Sequence, residues 1–171
     1  MSSIMKRLLW LLIPAMFFAC KKDDDGNSGG LESNLPGTWK LIAVEYSGSA
    51  PNPSNPTQTV PFSGSGTNVN GQFVISKDPN TINYSMFFVG EVNLGSGQPI
   101  SLPIQQSGSG TWTTTTDGKK LIMTNDSDGK TVTFNVITNT NNRQVWEGTL
   151  PVEPPGSGLV VNVDTRITLI R

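Results

Sequence analysis

The chain offers little for nucleophilic or acid–base chemistry. Its 171 residues include no histidine and one cysteine, Cys20. The commonest general base and the commonest metal ligand are therefore both missing. No Ser-His-Asp or Cys-His set can be assembled. The carboxylates left for proton transfer are Glu45, Glu91, Glu147, Glu153 and Asp164, with a few turn aspartates. A glycoside hydrolase needs two carboxyl groups facing across a cleft, and nothing in this spacing proposes a pair. The expectation is a protein that is not an enzyme. Asn125-Asp126-Ser127-Asp128-Gly129 has the look of a calcium loop, but Val136 stands where the bidentate glutamate belongs. It reads as a turn, and no metal is expected. The Gly-Ser-Gly stretches beginning at Gly64, Gly95, Gly108 and Gly156 lack the Gly-Lys-Ser/Thr ending of a phosphate loop, so no nucleotide or other cofactor is expected.

The elements that would have to carry any site begin after a leader. Met1–Ala19 holds Lys6 and Arg7, then an apolar run from Leu8 to Phe18, then a small residue before Cys20. That is the layout of a signal peptide, and the run is shorter than the ~20 residues that span a bilayer. Without the leader the charge balance is mildly acidic and no basic cluster remains; Lys119-Lys120 is an isolated pair. A nucleic-acid partner, which wants a clustered basic face, is not expected. With a single cysteine there is no disulfide framework.

Phe17-Phe18-Ala19-Cys20 resembles the lipobox of bacterial lipoproteins. The resemblance implies acylation of Cys20, a palmitate-type anchor, and membrane attachment through it. Two or more acyl chains hold stably where one does not, at ~0.8 kcal/mol per buried methylene. Lys21-Lys22-Asp23-Asp24-Asp25 is similar to the charged tract of Bacteroidetes surface lipoproteins, which implies an outer-membrane protein displayed at the cell surface. The bland alternative is a solvated tether. The expected division is a signal peptide over 1–19, an anchor and flexible tether over 20–33, and one folded domain over 34–171.

Within that domain the signals are strands and turns. Asn34–Tyr46 opens on Pro36-Gly37 and runs on with apolar residues at both parities, which predicts a strand covered on each side near its start. Ser47–Asn68, rich in Pro, Gly and Ser, reads as a long loop. Thr81–Val92 alternates, with Ile82, Tyr84, Met86 and Phe88 on one face. Pro99 and Pro103 push Ile100–Gln106 towards a sheet edge. Asp117-Gly118 and Asp128-Gly129 separate alternating segments and predict two hairpins. The last strand carries Leu159, Val161, Val163, Ile167 and Leu169 in phase. The fold class expected is all-β: an up-and-down antiparallel barrel of about eight strands, with a sandwich as the other architecture. Tyr84, Met86, Phe88, Trp112, Met123 and Phe134 are the candidate cavity-lining residues; they can equally fill a core.

Gly37-Thr38-Trp39 at the head of the first strand, followed by this strand order, resembles the lipocalin (calycin) pattern. The resemblance implies a lipocalin-like barrel with Trp39 plugging its closed end and a basic residue from the last strand packed across it. Arg166 is the position matched. It also implies a large loop at the open end, where Ser47–Asn68 stands. The function expected is a non-catalytic envelope lipoprotein that binds a small apolar or amphipathic ligand. The alternative is a solid-cored interaction module for an envelope protein partner.

Overall fold

The computed structural model describes residues 30–52, 55–93, 99–153 and 160–171. The leader, Cys20 and most of the tether lie outside the described residues. A short helix, α1 (Leu31–Asn34), precedes nine strands: β1 (Gly37–Asn52), β2 (Asn55–Ser65), β3 (Thr67–Ser76), β4 (Thr81–Val92), β5 (Ile100–Thr114), β6 (Lys120–Asn125), β7 (Thr131–Asn139), β8 (Arg143–Val152) and β9 (Val161–Ile170). All pairings are antiparallel, and β9 pairs back onto β1 to close the ring. The protein is an up-and-down antiparallel β-barrel.

Nine strands make eight staves. The first part of β1, Gly37–Lys40, pairs with β3, and its later part, Glu45–Asn52, pairs with β2. β2 and β3 thus follow one another along the same side of β1, and the Gly66 amide donates to the Val44 carbonyl at the break (2.7 Å). The expected long loop over Ser47–Asn68 is therefore largely a two-stranded ribbon. Its prolines are tolerated because β2 is hydrogen-bonded on one side only. Its Val60 and Phe62 keep the two-residue alternation that the surrounding Pro, Ser and Gly obscure.

The first strand also differs from expectation. A bulge between Leu41 and Ala43 shifts the register against β9. Before it Trp39 and Leu41 point inward; after it Val44 and Tyr46 do. One extra residue switches the inward parity, so both parities read as apolar although only the inner face is covered. Ile42, beside the bulge, is 41% exposed.

The interior is continuous from Leu31 and Leu35 at one end to Val152 and Val163 at the other. Trp39, Trp112 and Trp146 are its largest fully buried side chains. Leu31 and Asn34 are buried, so the folded unit takes in residues 31–33, ahead of the expected boundary at 34.

Candidate functional site

One end of the barrel is sealed by the chain that enters it. α1 and Leu35 lie across the opening, and the Trp39 indole N–H donates to the Leu35 carbonyl (2.7 Å). A guanidinium covers the indole, as the lipocalin resemblance implied, but it belongs to Arg171. Its Cζ sits 4.3 Å from the ring centroid. Arg171 Nη2 also donates to the Asn34 carbonyl at 2.9 Å and to the Pro36 carbonyl. Gly37 makes room for it: its φ is +139°, and a Cβ there would stand 2.9 Å from Arg171 Nη2. Arg166, the residue expected in this place, is on the outer wall, ion-paired with Glu147 and in register with Glu45. Val163, Thr165, Ile167 and Leu169 point inward, so Arg166 points out, and position 171 resumes the inward parity.

The opposite end is filled by aromatic rings. Tyr46 lies 6.0 Å from Phe88 and 6.4 Å from Phe62, centroid to centroid. The Tyr46 hydroxyl donates to the Glu91 carbonyl (2.9 Å) and accepts from the Glu91 amide (2.6 Å). Gly64 and Gly90 are glycines beside this ring; a Cβ at either would lie within 3.3 Å of it.

Between the two seals the wall has a notch. β6 and β7 are short, and pairing of β5 with β6 stops at Gly110/Asn125. Pairing of β7 with β8 stops at Phe134/Gly148. Ile100–Ser109 of β5 and Thr149–Val152 of β8 therefore face each other across a gap, with the Asn125–Lys130 turn as its floor. The floor is tied to β5, since the Asp126 amide donates to the Ser109 carbonyl (3.0 Å) and Ser109 Oγ to Asp126 Oδ2 (3.0 Å). The gap is bridged by the Gln106 side-chain amide, which donates to the Pro151 carbonyl (3.0 Å).

Behind the notch lies a cavity of about 450 Å³. Its inner wall is apolar: Phe73, Ile82, Met86, Met123, Phe134 and Ile167. Tyr84 stands among them, stacked on Phe73 with ring centroids 5.7 Å apart. No described residue hydrogen-bonds its hydroxyl. Burial first, and the nearby Asp128 carboxylate second, push the Tyr84 phenol above its ordinary pKa, so it stays protonated. At the mouth, Asp128 accepts from the Lys130 amide and pairs with the Lys130 ammonium (3.2 Å), which holds its carboxyl below the usual range. Two wider depressions of about 680 and 670 Å³ lie on the outer wall, lined mostly by outward-facing residues such as Lys40, Gln72, Glu45 and Arg166. Neither is enclosed by the barrel.

Of the residues expected to line a cavity, Tyr84, Met86, Met123 and Phe134 do so. Phe88 packs in the aromatic end against Tyr46. Trp112 lies at the sealed end, its indole N–H donating to the Ser76 carbonyl (2.8 Å). Phe73, Ile82 and Ile167 also lie on the cavity lining, each on the inward phase of its strand. Gln106 gave no signal, because its role depends on a gap between strands distant in sequence. Of the carboxylates, Glu45 and Glu147 flank Arg166 on the outer wall; among the described residues, Asp128 is the carboxylate on the cavity's lining. Among the described residues no three carboxylate or cysteine groups gather as a metal site.

The fold and cavity define a closed barrel whose chamber has an apolar inner wall and opens through a polar mouth at the notch. No protein-family model and no curated protein matches the chain. Among solved structures it is similar to the bovine lipocalin allergen Bos d 2, at 11% identity over 81% of this chain and 73% of that one, with a TM-score of 0.35. It is also similar to the S-type phycobiliprotein lyase CpeS from Guillardia theta, at 12% identity over 84% and 93%, with a TM-score of 0.36. Likeness at this level assigns no activity, and the fold class rests on the closed strand order itself.

Proposed function

We propose that the protein is a non-catalytic binding barrel that holds a small apolar or amphipathic molecule in the chamber behind the β5–β8 notch. The observation that carries this reading is the chamber's size and lining. About 450 Å³ falls within the ~300–1,000 Å³ range of small-molecule sites. Packed interiors seldom leave such space unused. A solid-cored interaction module, the other reading, would not need it. Among the described residues the lining carboxylate is Asp128, which is ion-paired with Lys130 at the exposed mouth.

The test is native mass spectrometry of protein purified from its own host, with titration of added amphiphiles followed by tryptophan fluorescence. Trp146 packs edge-on against Phe73 (5.7 Å) and beside Phe134 (5.9 Å), both on the cavity wall, and should report occupancy. A protein that arrives empty and answers to no amphiphile sinks the reading. The proposal extends to location: an outer-membrane lipoprotein held by acylated Cys20 and displayed at the cell surface. The Phe17–Cys20 lipobox and the charged tract behind it support this. Metabolic labelling with palmitate should be lost in Cys20→Ser, and retention of label would remove the anchor.

A further inference from the structure

We infer that the chamber loads sideways, through the notch between β5 and β8, and takes an uncharged amphiphile whose oxygen accepts a hydrogen bond from Tyr84. This rests on the binding reading above and adds a route and a ligand class to it.

The route follows from what blocks the alternatives. Along the barrel axis, Leu31, Leu35, Trp39 and Arg171 close one end. At the other, Tyr46, Phe62 and Phe88 pack together and separate the chamber from a depression of about 400 Å³ lined by Tyr46, Phe62 and Pro99; Tyr46 is pinned there by both backbone groups of Glu91. The cavity lining instead runs out between strands, through Gln105–Ser107 on one side and Leu150–Pro151 on the other. Only side chains close that gap among the described residues, and the Gln106–Pro151 hydrogen bond is the bridge. Breaking it costs one net hydrogen bond, far less than unpacking either end.

The ligand class follows from the lining. Tyr84 offers a hydroxyl with no protein partner where the apolar inner wall meets the polar mouth, and a ligand oxygen placed there can accept its hydrogen bond. The charged groups on the lining, Asp128 and Lys130, neutralise each other, so the mouth presents no net charge to a headgroup. A carboxylate would have to pass the like charge of Asp128. A neutral alcohol or ester carries no charge for Asp128 to repel and can pair with the amides and hydroxyls of the mouth.

The test uses the full barrel and two probes, 1-decanol and decanoate, in stopped-flow tryptophan fluorescence. Decanol should bind more tightly than decanoate. Tyr84→Phe, which keeps the ring stack, should weaken decanol roughly 5- to 10-fold. Gln106→Ala and the near-isosteric Gln106→Glu should each raise the association and dissociation rates together, roughly 2- to 10-fold, with little change in Kd. Phe62→Ala should leave both rates alone. Faster loading in Phe62→Ala but not in the Gln106 variants overturns the lateral route. Tighter decanoate binding, or a Tyr84→Phe protein that binds decanol as well as the parent, overturns the ligand class. Each of those outcomes leaves the binding reading standing, whereas failure of both probes to bind the parent protein removes the two together.

Discussion

Replacing Arg171 should unlock the sealed end without touching the chamber. Its guanidinium stacks 4.3 Å from the Trp39 ring centroid and donates to the carbonyls of Asn34 and Pro36. With Arg171 exposed on its outer side, the cation–π contact contributes about 0.5–1 kcal/mol. Hydrogen bonds from a charged donor contribute ~1.5–3 kcal/mol, discounted here because water reaches the edge of the group. Arg171→Ala should thus cost about 2–3 kcal/mol. For a domain of this size, ~3–4 °C per kcal/mol lowers Tm by about 6–12 °C. Arg171→Lys keeps the stem and charge but lacks the planar fork, and should fall between. The comparison that decides is Arg166→Ala. Its pair with Glu147 is exposed on both sides (42% and 39%), and such pairs contribute ~0–1 kcal/mol. Urea unfolding followed by tryptophan fluorescence gives both values. If Arg166→Ala costs as much as Arg171→Ala, or if Arg171→Ala costs under ~0.5 kcal/mol, the assignment of the lid is wrong.

Gly37→Ala should cost about 1–3 kcal/mol from its positive φ and its clash with the guanidinium. The loss should shrink in an Arg171→Ala background, read as a double-mutant cycle. Tyr46→Phe removes a donor and an acceptor from the Glu91 backbone and should cost ~1–3 kcal/mol in urea, with m unchanged. Tyr84 carries a pKa raised in the folded state, so its stability contribution is full below about pH 10 and is lost as pH rises through the folded value. Tyr84→Phe should therefore flatten the alkaline decline in Tm, and an unchanged decline would count against that burial.

The features carried by local chemistry were legible in the sequence. Gly118 and Gly129 take φ of +64° and +67° in the two Asp-Gly turns, as a hairpin of this kind asks of its glycine. The inward phases of β4 and β9 follow the alternation of Ile82–Phe88 and Val163–Leu169. The misses came from events that break a simple period. The bulge after Leu41 reverses phase, so β1 looked two-sided. The ribbon of β1 with β2 is built from residues with poor strand propensity, held because β1 offers them a ready edge. Arg166 is the basic residue within the last strand, yet its phase turns it outward; counting by twos from Val163 reaches Arg171. The notch was invisible because it arises from unequal strand lengths on β5 to β8, and no single segment encodes it.

The seam between β1 and β9 has a consequence for how the barrel assembles. Lys40 pairs with Ile170, 130 residues later, while the other neighbours along most of the ring are joined by short turns. Closing so long a loop is entropically costly and is rewarded only when the intervening strands are already in place. The meander from β3 to β9 can therefore grow by local hairpins, and the seam with its Arg171 clasp should be absent from the folding transition state. Weakening the clasp should then leave the folding rate nearly unchanged and appear almost wholly as faster unfolding. The sealed end acts as a kinetic fastener, setting how long the barrel stays shut once it has formed.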